Sequence, residues 1–323
     1  MKGRFPCPNV ARPENFHPAM YALGCMARAS QSVQGKTVLI TGAARGIGAE
    51  TARRLAAKGA RLSLVGLEPD LLEQVAGELG DAAWFEADVT DRDALESAVE
   101  GTVERFGGID VVMANAGIAG VGTVRGMDPG GWERIIEVNL LGVYRTLNVC
   151  LPHVIERRGY VLPVASIAAA VHAPGMSAYS ATKAAVEAMA DSLRGEVKHL
   201  GVDVGVAYYS FIDTEMVRGA DSHPASQFMR SKLRGPFATI HTVEEAGAIT
   251  AAGIEARARR IVVPKGFRAL LWGRMPAARL AELQSNRFAK DFIPLLESDS
   301  SAEGSAAVGA GGAADNRARG ANV

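Results

Sequence analysis

Apolar residues along this chain collect in short runs, separated by longer segments in which they recur every third or fourth position. The runs Thr37 to Ile40, Leu62 to Val65, Ala82 to Phe85, Asp110 to Ala114, Tyr160 to Ala165, Val202 to Tyr208 and Arg260 to Val263 predict seven short strands. The segments between them carry helical periodicity. Strands alternating with helices predict an α/β fold: a doubly wound sheet of about seven parallel strands, helices on both faces, in a single domain. Pro163 is discordant inside the fifth run, because a central strand has no place for a residue without an N–H, and it predicts a local distortion.

The ends of the chain break this pattern. Residues 1–34 are rich in Pro, Asn, Ser and Gln without periodicity and read as an extension before the domain, with Met20 and Met26 as alternative starts. The domain itself runs over 35–267. Residues 268–297 mix Leu270, Leu271, Trp272, Leu280 and Leu283 with arginines, an amphipathic helical pattern suited to packing on its own domain, on a membrane surface or on a second subunit. From Ser298 to Val323 the chain is mostly Ser, Ala, Gly and Asp, which buries too little apolar surface to offset the entropy of ordering, so a disordered tail is expected.

Composition narrows the function classes. Of 323 residues 48% are apolar and 22% charged, as in a globular protein with an ample core. Thirty-five basic residues balance thirty-five acidic ones, so no broad positive field draws nucleic acid. Cys7, Cys25 and Cys150 are odd in number and far apart, which gives neither a disulfide framework nor a metal site and fits a reducing cytoplasm. No window reaches the roughly 20 apolar residues of a membrane-spanning helix.

Directly after the first strand comes Thr41-Gly42-Ala43-Ala44-Arg45-Gly46-Ile47-Gly48, followed by a helix-like segment. Glycines in such a turn let the backbone approach a pyrophosphate, which then meets the positive end of the helix dipole. An ordinary strand-to-helix connection has the same look. The second strand ends at Gly66-Leu67, with Glu68 about where an acid would read an adenosine ribose. Asp88-Val89 ends the third strand, where Asp88 either meets an adenine or caps the next helix. Asn115-Ala116-Gly117 ends the fourth, as cleft lining or as turn chemistry.

Tyr179 and Lys183 are separated by four residues and share one helix face. An ammonium beside a phenol stabilises phenolate and lowers the phenol pKa, which suits acid/base chemistry, although such pairs also sit on solvated helix faces. Ser166 ends the fifth strand, as a turn residue or as a hydroxyl that donates to a substrate oxygen. Asn139 lies inside an apolar helical segment, where a buried amide needs hydrogen-bond partners.

Taken together, TGAARGIG, DVT, NAG, Asn139, Ser166 and YSATK occur in the chain order of the short-chain dehydrogenase/reductase family, which the sequence resembles from about Gly35 to Pro264. The resemblance implies a Rossmann-type dinucleotide fold and a ketone or aldehyde interconverted with an alcohol by hydride transfer. In that reading Tyr179 passes the proton, and Lys183 lowers its pKa and binds the nicotinamide ribose. Ser166 orients the reacting oxygen together with Tyr179, and Asn139 holds a water of a proton relay. Gly42 to Gly48 receives the pyrophosphate, Asp88 and Val89 meet the adenine, Asn115 to Gly117 line the cleft, and Ile212 and Thr214 match the nicotinamide-carboxamide contact.

Some positions depart from the family pattern. Tyr209-Ser210 stands where a Pro-Gly pair is usual, and Arg260 to Lys265 lacks the Asp-Gly-Gly associated with tetramers, so a homo-oligomer is expected with dimer and tetramer both open. The cofactor-selecting positions are Gly66 and Leu67, neither acidic nor basic. Arg45, with room left by Gly66, favours the 2′-phosphate of NADP over NAD, provided Glu68 is solvated. Met216, Phe228, Met229, Phe237 and Ile240, approached by Val171, His172 and Met176, suggest an apolar lipid, terpenoid or steroid-like substrate. Two other classes stay open: a silent dinucleotide-binding regulator or scaffold, and a non-redox epimerase or dehydratase.

Overall fold

The computed structural model describes residues 31–221, 223–298 and 309–320. Strands β1 (Thr37–Thr41), β2 (Arg61–Gly66), β3 (Ala82–Glu86), β4 (Val111–Ala114), β5 (Tyr160–Pro163) and β6 (Asp203–Val204) form one parallel sheet in the order β3-β2-β1-β4-β5-β6. β7 (Val206–Tyr209) and β8 (Arg260–Val263) pair in parallel and continue that sheet through a bridge between Val164 and Ala207. All seven apolar runs are therefore strands, and the sixth is cut in two.

Gly205 marks the cut, and Pro163 explains it. Along β5 the Tyr160 and Val164 N–H groups donate to β4-side carbonyls, whereas the Ala165 N–H donates to Ala207, so position 163 faces the β6/β7 side without an N–H to give. The ladder fails there. Gly205 also fills a gap too small for a side chain: a Cβ would lie 2.1 Å from the Tyr160 hydroxyl and 2.3 Å from the Ala258 carbonyl. That hydroxyl donates to the same carbonyl at 2.7 Å and ties β5 to the turn before β8.

Helices α1 (Gly46–Ala56), α2 (Pro69–Glu78), α3 (Arg92–Phe106), α4 (Pro129–Ile136), α5 (Val143–Glu156) and α6 (Ser177–Val197) alternate with the strands. They are followed by α7 (Glu215–Asp221), α8 (Pro224–Lys232), α9 (Val243–Glu255), α10 (Arg268–Trp272), α11 (Arg274–Glu297) and α12 (Gly309–Gly320). Start and stop signals are local: the Asp91 carboxylate caps α3 by accepting from the Asp93 and Ala94 N–H groups, and Gly107 ends the helix at φ +77°. Asp91, not Asp88, is thus the cap.

Strand residues alternate between two cores. Leu39, Val65, Val112 and Val161 join α3, α5 and α6 on one face; Val38, Ile40, Leu62, Leu64 and Met113 join α1, α2 and α9 on the other. Each fully buried Leu or Ile contributes about 1.5–3 kcal/mol. Val33, placed by its sequence in the extension, is buried in the second core, and the Gln31 N–H donates to Glu255; residues 1–30 of the expected extension lie outside the described residues. α11 packs Phe288, Phe292 and Leu296 against Phe228 and Met229 of α8. Within the stretch expected to lack order, residues 309–320 form a helix, because a buried ion pair anchors it where its own composition would not.

Candidate active site

One cavity of about 400 Å³ opens at the carboxyl ends of β1, β2, β4 and β5. Gly42, Arg45, Gly46, Ile47, Gly66, Leu67, Asp88, Val89, Asn115, Ala116, Gly117, Tyr179, Lys183, Ile212 and Thr214 all line it. Gly48, Asn139 and Ser166 stand behind this lining and support it.

The glycine turn is built around Asn115. Its side-chain amide donates to the Thr41 and Gly42 carbonyls at 3.0 and 3.1 Å, and the Thr41 hydroxyl accepts from the Asn115 and Ala116 N–H groups. This clamp leaves no space for side chains: a Cβ on Gly48 would lie 2.4 Å from the Gly42 carbonyl, and one on Gly42 would lie 2.9 Å from Ala116. Gly46, at φ +56°, has nothing closer than 3.5 Å and faces the cleft. The first turn of α1 carries neither an acidic residue nor a side-chain cap, so its N–H groups suit an anion. These observations fit a dinucleotide pyrophosphate.

At the adenosine end the charges are already partnered. Glu68 folds back onto Arg45, accepting from its Nε at 2.9 Å and also pairing with Nη2, while Glu215 takes Nη1. The premise of a solvated Glu68 therefore does not hold, and with it goes the sequence argument for a free Arg45. Burial alone would push Asp88 up. Hydrogen bonds from the Thr90 backbone and hydroxyl and from Arg134 outweigh it and hold the carboxyl below its ordinary value. Arg134, from α4, carries no sequence signature and was not anticipated.

The reacting end sits on β5, α6 and a single π-helical segment, Glu137–Gly142, between α4 and α5. Wide turns of this kind disturb the regular ladder and often serve functional positions. Asn139, fully buried, pairs twice with Ile118: its Oδ1 accepts from the backbone N–H and its Nδ2 donates to the carbonyl, both at 2.8 Å. These bonds fix the irregular chain after β4, and a Cβ on Gly117 would lie 3.1 Å from Asn139 Oδ1 and 3.5 Å from Lys183 Nζ.

Lys183 Nζ donates to the Val164 carbonyl at 3.0 Å and lies 5.5 Å from the Tyr179 ring centre. Burial pushes its pKa down to about 8. Burial likewise pushes the Tyr179 phenol up, opposite to the sense expected from Lys183, and a hydrogen bond with Ser166 draws it part of the way back. Ser166 donates to the Tyr209 carbonyl at 3.2 Å and accepts from Ala168 at 3.1 Å, so the unusual Tyr209 acts through its backbone.

The apolar residues singled out for substrate do not converge here. From that region the cleft takes Asp213 to Arg218, including Met216, whereas Phe228 and Met229 pack on α11, Phe237 stacks near Phe267 at 4.8 Å, and Ile240 is exposed. His172 is exposed and bonds the Ala168 carbonyl.

A family model described as short chain dehydrogenase matches residues 36–225. Among similar proteins, a cis-4-hydroxycyclohexanecarboxylate dehydrogenase of Sinomonas cyclohexanicum is 33% identical over 67% of this chain and 89% of its own. A 3-oxoacyl-[acyl-carrier-protein] reductase of Thermotoga maritima is 33% identical over 57% of this chain and 77% of its own. A solved short-chain dehydrogenase/reductase from Burkholderia phymatum in complex with NAD superposes with TM-score 0.68 at 22% identity, covering 77% of this chain and 96% of that one. Levodione reductase gives 0.65 at 27% identity over 71% of this chain and 95% of that one.

Proposed function

We propose a reaction on the premise that this chain belongs to the short-chain dehydrogenase/reductase family, which makes it a nicotinamide-dependent oxidoreductase. It interconverts a ketone or aldehyde with an alcohol, with Tyr179 passing the proton. The observation that carries this reading is the convergence of Tyr179, Lys183 and Gly117 on one cleft, with Ser166 near enough to the phenol to draw its pKa down and Asn139 bracing the loop behind. When bound, the dinucleotide supplies or accepts the hydride.

The side chains divide the remaining work. Tyr179, its phenol held protonated by burial, gives its proton to the carbonyl oxygen. Ser166 exchanges its long bond to Tyr209 for that oxygen and orients it. Lys183, held by Val164, turns its remaining protons toward the ribose hydroxyls and the phenol. Asn139 fixes Ile118, and the water relay that the resemblance implies would run past it. Because the phenol pKa is raised, carbonyl reduction is expected to hold its rate through neutral pH, whereas alcohol oxidation, which needs phenolate, rises with pH. Tyr179→Phe should lower kcat by about 10²–10⁴-fold with dinucleotide binding retained. Retained turnover would overturn the assignment; product formed without net change in nicotinamide absorbance would indicate an epimerase or dehydratase; and binding without turnover over a broad ketone panel would indicate a scaffold.

For the cofactor, the geometry at Arg45 supports NAD. A 2′-phosphate would have to displace two carboxylates from one guanidinium, whereas Glu68 at the β2 tip suits ribose hydroxyls. Fluorescence titration should give tighter binding of NADH than NADPH, with Glu68→Gln narrowing the gap. Tighter NADPH binding to the unaltered protein would restore the preference read from the sequence.

An apolar alcohol or ketone remains the favoured substrate. The packed pair α8–α11 includes Val121 and sets Leu296 against Gly175, close before Tyr179; the Sinomonas relative is named for a ring alcohol that also carries a carboxylate, so the apolar reading rests on the packing alone. Exposed Leu141, in the π-helical segment, and Tyr144, three residues on in α5, support self-association, which sedimentation would test. The outer face of α11 supports peripheral membrane contact, and cysteine usage supports a cytoplasmic site, which fractionation would check.

A further inference from the structure

The cleft has one wall that lies far outside the family-matched region. Gly311, Gly312, Ala314 and Asp315 of α12 face the same cavity as Gly46, Glu68 and Asp88. The helix is fastened at both rims. At the α7 rim Gly309, with φ +79°, sits so close that a Cβ would lie 2.6 Å from the Glu215 carbonyl and 2.7 Å from the Met216 Cα. Glu215 is the residue that also pairs with Arg45, so this end of α12 stands beside the glycine turn.

At the opposite rim Asp315 is 2% exposed, and its carboxylate accepts from Arg134 Nε at 3.1 and 3.2 Å and from Nη2 at 2.5 Å. The same guanidinium donates to Asp88 Oδ2 at 2.9 Å and to the Thr90 hydroxyl at 3.1 Å. Arg134 thereby joins the tail to the carboxylate that the family resemblance assigns to the adenine. A buried carboxylate held at two guanidinium nitrogens is a specific attachment, and Arg134 keeps Asp88 as a partner when Asp315 lifts into solvent, so the contact can open without leaving the arginine unpaired. The small residues between the two fastenings keep the strap thin enough to leave the cavity beneath it.

We propose that α12 is a strap across the adenosine half of the dinucleotide cleft, and that it must lift from Arg134 for a dinucleotide to enter or leave. This rests on the reading of the cleft as the dinucleotide site. Association is slowed by the fraction of time the strap is lifted, as for any ligand whose competent state is only part of the population. The tail sequence, and not the shared catalytic domain, then sets the exchange rate of the cofactor.

The test measures NADH and NADPH binding by stopped-flow fluorescence in the full chain and in two full-length variants. Asp315→Asn keeps the size of the side chain and removes its charge; Gly309→Val drives a side chain into the α7 backbone. Both lie outside the sheet cores, and a thermal melt confirms that each variant is folded. Each should bind the dinucleotide with an association rate constant raised by about tenfold or more, and release it faster. Association rates equal to the unaltered chain in both variants would overturn the strap, as would slower binding, which would make α12 part of the binding surface. If neither dinucleotide binds any of the three proteins, the reading of the cleft itself falls and the strap falls with it.

Discussion

Burial of Lys183, 3% exposed, removes an ammonium from water and returns to it the Val164 carbonyl, and its pKa drops from 10.5 to about 8. Below pH 8 folded and unfolded chains both carry this proton, and the cost of the buried charge is present in full. Above pH 8 the folded chain binds fewer protons at this position than the unfolded one, so the contribution of the group to stability improves up to its ordinary value. The shift corresponds to roughly 3 kcal/mol, and losing the bond to Val164 offsets about 1 kcal/mol of it. Lys183→Met is therefore expected to be about 2 kcal/mol more stable than the unaltered protein at pH 7, to lose most of that advantage by pH 10, and to have no useful activity. Denaturant melts at the two pH values check this, and an equal difference at both would show that the charge is not what burial penalises. Tyr179 and Lys183 were legible in the sequence because a spacing of four fixes them on one helix face. Arg134 was not, because a lone arginine on an amphipathic helix looks the same whether it meets solvent or two carboxylates. Glu68 was visible but misjudged: its partner, Arg45, lies 23 residues earlier and meets it only because β1 and β2 pair side by side.

At the scale of the element, the β1–α1 turn shows how sequence spacing becomes a cradle. Gly48 is close-packed against backbone, and nothing there can yield cheaply. Gly48→Ala should cost about 1–3 kcal/mol through overpacking and abolish the thermal stabilisation that NADH gives the unaltered protein. A normal melting temperature with normal NADH stabilisation would mean that the turn relaxes and is no cradle. Gly46 has 3.5 Å of clearance but holds φ +56°, so a side chain there costs through backbone strain and not through overpacking. The central strands were legible because both faces of a parallel sheet are buried there, so each reads as an apolar run, whereas edge strand β3 is only half-buried. Pro163 announced a fault in the fifth strand, but its consequence fell on the neighbour, where Gly205 separates β6 from β7. The π-helical segment at Asn139 and helix α12 were illegible for a shared reason. Neither follows from local propensity: one is set by the pairing of Asn139 with Ile118, the other by the pairing of Asp315 with Arg134.

Over the whole molecule the charges cancel, 35 basic against 35 acidic residues, yet they are not evenly spread. α11 is held inward by Arg274, whose guanidinium donates to Glu187 at 3.2 Å, and Glu187 in turn accepts from the Tyr208 hydroxyl at 2.9 Å. Its outer face repeats Met275, Arg279, Leu283 and Arg287 every four residues, with Leu280 beside them and Trp272 just before. Trp272 is 82% exposed and Met275 79%, an unusual placement for large apolar side chains in water. Exposed Lys265, Arg268 and Lys290 add positive charge against Glu282 and Asp291. Apolar groups interleaved with cations on one helix face match the boundary between anionic headgroups and acyl chains. No helix among the described residues is long and apolar enough to cross a membrane, so the expected contact is peripheral. Vesicles containing anionic phospholipid should therefore co-sediment with the protein and shift its tryptophan emission to the blue. Trp272→Ser should remove the shift, and the double substitution Arg279→Glu with Arg287→Glu should remove binding. Raising the salt to about 1 M, where the Debye length is about 3 Å, should weaken attachment without changing the fold. If this face instead joins two copies of the chain, vesicles will have no effect and the same substitutions will change the sedimentation coefficient.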